Sequence, residues 1–300
     1  MKKQIRILKY LVFFCIISFL ISSLRATEWT ERNTDRIAFP IGGIGSGMFC
    51  VERTGTISHL SPEHGMNFFH EPTTFAAIHV KETKNGTEKS VGKVEKEIEN
   101  LNLLSPARVL EGPVPEWKFF GIPGSGTGST GRTYRLPRFR ECKFTSRFPF
   151  CEIALRDDTF PVETQITGFS PFIPSDGDAS SFPTGTLDYT LKNTGSEPLE
   201  VVFLFHSRYF MGGDKISAFP AGFRLVGPRE CAVSVMNQEN VAVDHCWFRG
   251  GWWDAFTMTW NNIVSRAVIS NPPDDGKAPG DGKFTFPAFV VSSVDRKLKT

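Results

Sequence analysis

Apolar and polar residues alternate with a period of two through much of the chain, and the pattern is clearest over residues 187–192. There, Leu187, Tyr189 and Leu191 alternate with three polar residues. This period is typical of β-strands that bury one face. The same alternation predicts further strands at residues 151–155, 162–166, 233–235, 241–243 and 256–260.

The segment 193–198 has the Asn, Gly, Ser and Pro residues that are typical of a turn. Residues 199–206 follow it and are apolar on both faces in their middle, which favours a strand in the centre of a sheet. The strand at 187–192 and the strand at 199–206 are therefore predicted to form a β-hairpin.

Short strands separated by clusters of Asp, Gly, Pro and Asn favour a sandwich or a barrel. The chain has 28 phenylalanines, which suit the space between two facing sheets, and we expect most of them to be core residues. We predict an all-β fold: a large antiparallel β-sandwich with long irregular loops and at most one or two short helices.

One stretch, residues 81–131, lacks the strand pattern. It is charged at first, then rich in Pro, and finally rich in Gly and Ser. Within it, the apolar positions Val94, Ile98 and Leu101 predict a short helix over residues 93–104. Irregular segments of this length are uncommon in compact domains unless they are functional or mobile, so we expect this one to cover a groove or a neighbouring domain.

The N-terminus has the composition of a secretory signal peptide. Four basic residues precede an apolar run at residues 10–24, and Ala26 provides the small residue before cleavage. We therefore expect residues 1–26 to be a signal peptide and residues 27–300 to be secreted or periplasmic. The apolar run is shorter than the roughly 20 residues that cross a bilayer, so no stable membrane span is expected.

The charge of the mature chain excludes one class of partner. The formal net charge of +2 includes five basic residues in the segment 1–26, and their removal leaves −3 for residues 27–300. Without a basic excess, the electrostatic attraction that drives nucleic-acid binding is missing. Nucleic acid is not an expected partner.

Five cysteines remain after residue 26: Cys50, Cys142, Cys151, Cys231 and Cys246. An odd number leaves at least one thiol unpaired, and both one or two disulfides and small buried thiols fit the sequence. Among the possible pairs, Cys142–Cys151 is favoured because both residues lie on neighbouring predicted strands around a turn near Pro149. No Cys-x-x-Cys spacing is present to indicate a zinc ribbon or a redox motif.

The glycine-rich segment 39–47 and the histidines near it suggest two kinds of site, and the spacing disfavours both. Met48 stands where a dinucleotide-binding fingerprint needs its third glycine, so we expect the glycines to serve tight turns and close packing. His59, His64, His70 and His79 lie near Glu63 and Glu71. Pro62 would break any helix that aligns them, and we expect neither a metal nor a cofactor.

Sugar hydrolysis requires two carboxyl groups at a defined separation, and no pair stands out. Candidate acids are Glu63, Glu71, Asp176, Asp178 and Asp254. The candidates for substrate binding are Trp252, Trp253 and Asp254, which could form a stacking platform with a hydrogen-bonding carboxylate, together with His70 and Glu71. No catalytic residue is assigned.

Several segments, in order along the chain, resemble the N-terminal domain of glycoside hydrolase family 116, the family of the bile-acid β-glucosidases or non-lysosomal glucosylceramidases. The matching segments are 39–47 (FPIGGIGSG), 67–80 (NFFHEPTTFAAIHV), 107–115 (ARVLEGPVP), 136–150 (LPRFRECKFTSRFPF), 169–174 (FSPFIP) and 251–256 (GWWDAF). The resemblance implies a β-sandwich followed by an (α/α)6 barrel that carries both catalytic carboxylates.

The resemblance implies that the catalytic residues lie in the barrel and not in the sandwich. In this sequence, no run of successive amphipathic helices follows Val294. We therefore expect residues 27–300 to be an N-terminal sandwich domain, incomplete at its C-terminal end, with the catalytic barrel absent. Its expected role is to support or cap the sugar cleft of that barrel in a secreted, retaining β-glucosidase. The chain itself is then not expected to be an enzyme, whereas the full-length parent would be.

Two alternatives remain open at this point. One is a free-standing secreted β-sandwich that binds a β-glucoside or another glycan without cleaving it. The other is an independent glycosidase that uses Asp254 with Glu63 or Glu71.

Overall fold

The computed structural model describes residues 27–29, 35–62, 71–84, 87–90, 106–118, 133–134, 136–208, 215–219, 222–226, 231–236, 240–249, 255–266 and 285–298. In order, the strands are β1 (Thr27–Trp29), β2 (Ala38–Ile41), β3 (Gly47–Glu52), β4 (Ile57–Pro62), β5 (Thr74–Lys84), β6 (Thr87–Ser90), β7 (Ala107–Val109), β8 (Glu141–Arg147), β9 (Phe150–Arg156), β10 (Val162–Phe169), β11 (Thr186–Asn193), β12 (Leu199–Arg208), β13 (Lys215–Phe219), β14 (Gly222–Val226), β15 (Cys231–Ser234), β16 (Val241–Arg249) and β17 (Thr285–Leu298). The described helices are a 3-10 turn at Glu116–Lys118, a four-residue helix α1 (Gly177–Ser180) and a longer helix α2 (Ala255–Arg266).

Two antiparallel sheets form the body of the molecule. The first has the strand order β1-β8-β9-β10-β11, and the second has the order β16-β17-β12-β5-β6 with β7 paired to β5. Two three-stranded sheets, β2-β3-β4 and β13-β14-β15, accompany them. This arrangement confirms the predicted all-β, antiparallel sandwich.

The main core lies between the two large sheets. Every second residue of β9 and β10 is buried, as the alternation in the sequence predicts. Ile153, Leu155 and Ile166 of the first sheet pack in one cluster with Ile78 and Val201 of the second. Burial of these side chains is the principal favourable term that holds the two sheets together.

A second apolar cluster covers the opposite face of the second sheet. Val202 and Leu204 of β12 meet Trp247 of β16 and Trp260 and Ile263 of α2. The second sheet is therefore buried on both faces in its centre, which agrees with the apolar character of residues 199–206 and with the predicted central position of that strand.

The predicted hairpin of residues 187–206 is wrong. β11 pairs with β10 in the first sheet, whereas β12 pairs with β5 and β17 in the second. The chain crosses from one sheet to the other at residues 194–198, and Tyr189 faces Phe203 across the core with a ring-centroid distance of 5.4 Å. Turn residues alone do not distinguish a hairpin from such a crossover.

The predicted strand at residues 256–260 is also wrong, because this segment begins α2. The apolar residues Phe256, Trp260, Ile263 and Val264 have the spacing i, i+4, i+7 and i+8 of an amphipathic helix. Three residues of apparent alternation concealed that longer helical period.

The stretch predicted to be irregular, residues 81–131, contains regular structure in part. β5 continues to Lys84, and β6 returns along its far end. β7 adds a short strand to the same edge of β5, opposite the edge that pairs with β12. The helix predicted at residues 93–104 lies outside the described residues.

Cys142 and Cys151, the favoured candidates for a disulfide, are not bonded to each other. The two residues do lie on the adjacent strands β8 and β9, but the register pairs Cys142 with Leu155 and Cys151 with Ser146. Cys50, Cys142, Cys151 and Cys246 are free thiols. Burial raises the pKa of Cys50 to about 11 and that of Cys151 to about 12, so both behave as small apolar side chains.

Neither described α-helix has the length and apolar character needed to cross a lipid bilayer.

Candidate functional site

Three connections meet at one end of the sandwich, which we call the loop end: residues 42–46, 148–149 and 170–185. The register of the first sheet places them there, because Phe150 pairs with both Arg147 and Phe169, and Phe169 pairs with Thr186. Gly168 at the end of β10 lies against Ile41, which brings the connection between β2 and β3 to the same end.

Hydrogen bonds hold the connections of the loop end to one another. The Gly42 amide donates to Ser170 Oγ at 3.1 Å, and the Ile44 amide donates to the Ser180 carbonyl at 2.9 Å. Ser180 Oγ in turn accepts from the Ile173 amide at 3.0 Å and donates to the Ile173 carbonyl at 3.0 Å. The loop end is therefore a connected structure rather than a set of independent loops.

The glycines of segment 39–47 serve the close packing that the sequence predicts. A Cβ atom on Gly43 would lie 2.1 Å from the Phe182 carbonyl oxygen, and one on Gly42 would lie 2.3 Å from the Gly47 carbonyl oxygen. Gly45 has a φ of 77°, in the left-handed region that favours glycine. These residues allow the backbones of two connections to touch.

Large apolar side chains at the loop end remain in contact with solvent. We call Ile44, Phe148, Phe172, Ile173 and Phe182 the apolar patch. Ile44 and Phe148 are each 58% exposed, and Phe182 is 65% exposed. Phe148 contacts Phe172 edge-on at a centroid distance of 4.9 Å, so these two exposed rings adjoin each other.

An apolar cavity of about 420 Å³ lies between the sheets near the same end. Its lining residues are Phe49, Ile57, Leu60, Pro72, Thr74, Gly185, Leu187, Tyr189, Phe203, Phe205 and Ser207. Gly185 belongs to the loop end, and the hydroxyls of Thr74 and Ser207 lie 2.7 Å apart in a mutual hydrogen bond. Burial raises the pKa of Tyr189 above its ordinary value, so this phenol stays neutral.

A buried ionic cluster brings two carboxylates close together on a single cation. Lys118 Nζ lies 2.6 Å from Glu52 Oε2 and 2.5 Å from Glu71 Oε1. The Tyr134 hydroxyl also donates to Glu71 Oε1, at 2.6 Å. Burial raises the pKa of Glu52, and the Lys118 charge and hydrogen bond oppose that effect.

A second buried ion pair joins Arg108 of β7 to Asp157. Arg108 Nε donates to Asp157 Oδ2 at 3.2 Å, and both side chains are almost fully buried. Burial alone would raise the pKa of Asp157, but hydrogen bonds from Thr159 and the charge and hydrogen bond of Arg108 lower it. Asp157 is therefore ionised at neutral pH and serves as the anchor of this pair.

The acids at the loop end have local roles or face solvent. Asp176 Oδ1 accepts from the Ala179 amide at 2.9 Å and caps the N-terminus of α1. Asp178 is exposed in the first turn of that helix. Among the described residues, no three His, Cys, Asp or Glu side chains lie together as metal ligands.

Of the predicted substrate-binding residues, only Glu71 is described, and its carboxylate is held in the cluster with Lys118 and Tyr134. His70, Trp252, Trp253 and Asp254 lie outside the described residues, so their role in glycan binding stays a prediction. Glu63 lies outside them as well.

Sequence patterns did not indicate the residues that dominate these sites. Lys118 follows no recognisable motif, and Tyr134 lies next to a glycine-rich segment. The exposed phenylalanines have the same sequence character as those of the core. The segments FPIGGIGSG, FPF and FSPFIP all contribute to the loop end, so their joint resemblance to one family was the available signal.

The fold and the loop end define a β-sandwich domain in which buried carboxylates are paired with cations and apolar side chains are exposed at one end. The family model described as beta-glucosidase 2, glycosyl-hydrolase family 116 N-term, matches residues 38–278. The chain belongs to this family of glycosidase N-terminal domains. No curated protein matches the chain.

Proposed function

We propose that this chain is the non-catalytic N-terminal domain of a secreted, retaining β-glucosidase or glucosylceramidase. In this role it supports or caps the sugar cleft of a catalytic (α/α)6 barrel and does not itself break glycosidic bonds. Membership in the family of glycosidase N-terminal domains supports the association with a catalytic domain.

The observation that carries the proposal is that two carboxylates brought together among the described residues are both bound to one buried lysine. Glycoside hydrolysis needs one carboxyl group as acid and a second as nucleophile or base, both in contact with the sugar. Glu52 and Glu71 instead share Lys118, and their side chains are only 9% and 10% exposed. Each carboxylate already has the cation as its partner, so neither is available to act on a sugar.

Export is part of the proposal and rests on the basic and apolar segments of residues 1–26. A β-glucoside, or another glycan with a β-linked glucose, would be the substrate of the complete protein. The sequence around Trp252 and Asp254 is the proposed point of contact between this domain and that glycan.

A turnover assay tests the proposal. Residues 27–300 are incubated with a chromogenic β-glucoside, alone and together with a separately expressed family 116 catalytic domain. We expect no turnover by the chain alone, and a higher rate from the catalytic domain when the chain is added. The contrary result is that the chain alone turns over the substrate and loses that activity on Asp254→Asn or Glu71→Gln substitution. That result would establish an independent glycosidase and overturn the proposal.

A binding assay with soluble β-glucan separates the proposal from a free-standing binding module. The supporting role predicts that the chain affects the catalytic domain whether or not the chain binds glycan by itself. Glycan binding without any effect on the catalytic domain would contradict it.

A further inference from the structure

We infer that the apolar patch is the face by which this domain docks on its catalytic domain. The inference rests on the proposed function and assigns it a surface. The occupant is the catalytic domain, and the residues that would contact it are Ile44, Phe148, Phe172, Ile173 and Phe182.

The first support is the exposure of the apolar patch. Single apolar side chains on a surface are ordinary, but contiguous exposed patches mark interaction sites. Phe148 touches both Phe39 and Phe172, at centroid distances of 6.5 Å and 4.9 Å, and it remains 58% exposed. Three separate connections thus present apolar side chains at one end of the molecule.

The second support is preorganisation. The hydrogen bonds from the Gly42 amide to Ser170 Oγ and from the Ile44 amide to the Ser180 carbonyl fix two of these connections to each other. Gly43 leaves no room for a Cβ atom beside Phe182, so the contact depends on glycine. A surface that is ordered before binding loses little conformational entropy when a partner docks, which favours affinity.

The chemistry of the apolar patch favours a protein surface over a sugar. Its side chains are phenylalanine and isoleucine, which offer neither donors nor acceptors to the hydroxyl groups of a glycan. Phenylalanine is enriched in the cores of protein interfaces, where charged residues are depleted. The nearby carboxylate of Asp176 is already engaged in capping α1.

The cavity strengthens the case for a protein partner. It lies between the sheets near the loop end, and Phe49 and Gly185, which contact each other, are part of its lining. Interface energy concentrates where an apolar side chain of one partner fills a pocket of the other. A protruding apolar side chain from the catalytic domain would find such a pocket beside the apolar patch.

The test compares three forms of residues 27–300 for their affinity to a separately expressed family 116 catalytic domain. The first form is the wild type, and the second carries Ile44→Ser, Phe148→Ser and Phe182→Ser. The third is a matched control, Met236→Ser, which removes a fully exposed apolar side chain that lies outside the loop end. Circular dichroism and cooperative thermal unfolding verify that each form is folded.

We expect the triple variant to bind at least about tenfold more weakly than the wild type, as loss of interface hot spots does, and the control to bind unchanged. Equal binding by wild type and triple variant would overturn the docking face while leaving the proposed function in place. No binding by the wild type would contradict the proposed function itself. Two other results, each with unchanged affinity for the catalytic domain, would also show the inference to be wrong. If the triple substitution abolishes self-association of the chain, the apolar patch binds a second copy. If it abolishes binding to β-glucan, the apolar patch binds a glycan.

Discussion

At the scale of single residues, one lysine holds together parts of the chain that are far apart in sequence. Lys118, in a 3-10 turn, joins Glu52 at the end of β3 to Glu71 just before β5. A buried ion pair is costly to form, but removal of one partner is costlier, because it leaves an unpaired charge in the interior. The cluster is therefore a sensitive point of the fold.

Substitution Lys118→Met should lower the free energy of unfolding by about 3–5 kcal/mol at pH 7, since two buried carboxylates lose their common cation. The matched control is Lys192→Met, which removes a lysine that is 71% exposed and paired with Glu163. That change should cost about 0–1 kcal/mol. Urea unfolding of both variants measures the difference.

The same variant should respond to pH in a defined direction. Burial already raises the pKa of Glu52 above 4.5, and loss of Lys118 removes the charge that opposes this shift. A raised folded-state pKa means that the folded protein binds a proton more readily than the unfolded chain, so stability increases as pH falls. The deficit of Lys118→Met should shrink between pH 7 and pH 5, and a constant deficit would contradict the proposed cluster.

His206 gives the opposite pH dependence. It is fully buried and stacks on Phe75 at a centroid distance of 4.7 Å, and neither ring nitrogen has a hydrogen-bond partner in the described structure. Burial lowers its pKa to about 3 from 6.5. Between these values the unfolded chain binds the proton and the folded protein does not, so stability is lost as pH falls.

From pH 7 to pH 5, this single group should cost about 2 kcal/mol of stability, by proton linkage. Substitution His206→Leu replaces the imidazole with an apolar side chain of similar size and removes the titration. We expect its unfolding free energy to fall less than that of the wild type over the same pH range, as measured by urea unfolding. Parallel curves would show that His206 is not buried in its neutral form.

At the scale of elements, the crossover between β11 and β12 determines which strands belong to which sheet. Asn193 organises it: its side-chain oxygen accepts from the Gly195 amide at 2.9 Å, and its amide nitrogen donates to the Glu197 carbonyl at 2.8 Å. The same nitrogen reaches the Leu298 carbonyl at 3.3 Å, at the end of β17. One buried side chain thus ties the crossover to the second sheet.

Substitution Asn193→Ala should destabilise the protein by about 1–3 kcal/mol, because it removes three hydrogen bonds and leaves partly buried backbone groups without these partners. Ser196→Ala, an exposed change in the same connection, should stay within about 0.5 kcal/mol of the wild type. Thermal unfolding measures both variants. Equal melting temperatures for the two would show that Asn193 does not organise the crossover.

Strand identity was predictable at the scale of elements, and strand pairing was only partly so. Alternation in β9, β10 and β11 reports directly which face is buried, and the structure confirms it. The destination of the chain after Asn193 depends on which sheet offers a free edge, and that is a tertiary property. The helix α2 was missed because a short window favoured a period of two over the longer helical spacing.

The candidate site was predictable only through family resemblance. Phe148 and Ile153 have similar apolar side chains and lie near each other in sequence, yet one is exposed at the loop end and the other is buried in the core. Exposure follows from the meeting of three distant connections, and no local pattern encodes that meeting. Likewise, Glu71 was predicted to contact a glycan, and its pairing with Lys118 depends on a residue 47 positions away.

At the scale of the whole molecule, the structure combines a buried core with an exposed apolar surface at the loop end. Two large sheets bury a continuous core, α2 covers the outer face of one sheet, and the closed ion pairs lie inside. At the loop end, by contrast, hydrogen-bonded connections hold apolar side chains in solvent. A domain whose role is to support a catalytic partner would have this organisation, because its useful surface is the one that the partner covers.

Hydrogen exchange of residues 27–300, with and without a family 116 catalytic domain, tests this account most directly. We predict that the catalytic domain slows exchange in residues 42–46 and 170–183 at the loop end. It should leave residues 231–234 of the small sheet β13-β14-β15 unchanged. Slower exchange confined to that small sheet, or no change in any region at concentrations that saturate binding, would contradict it.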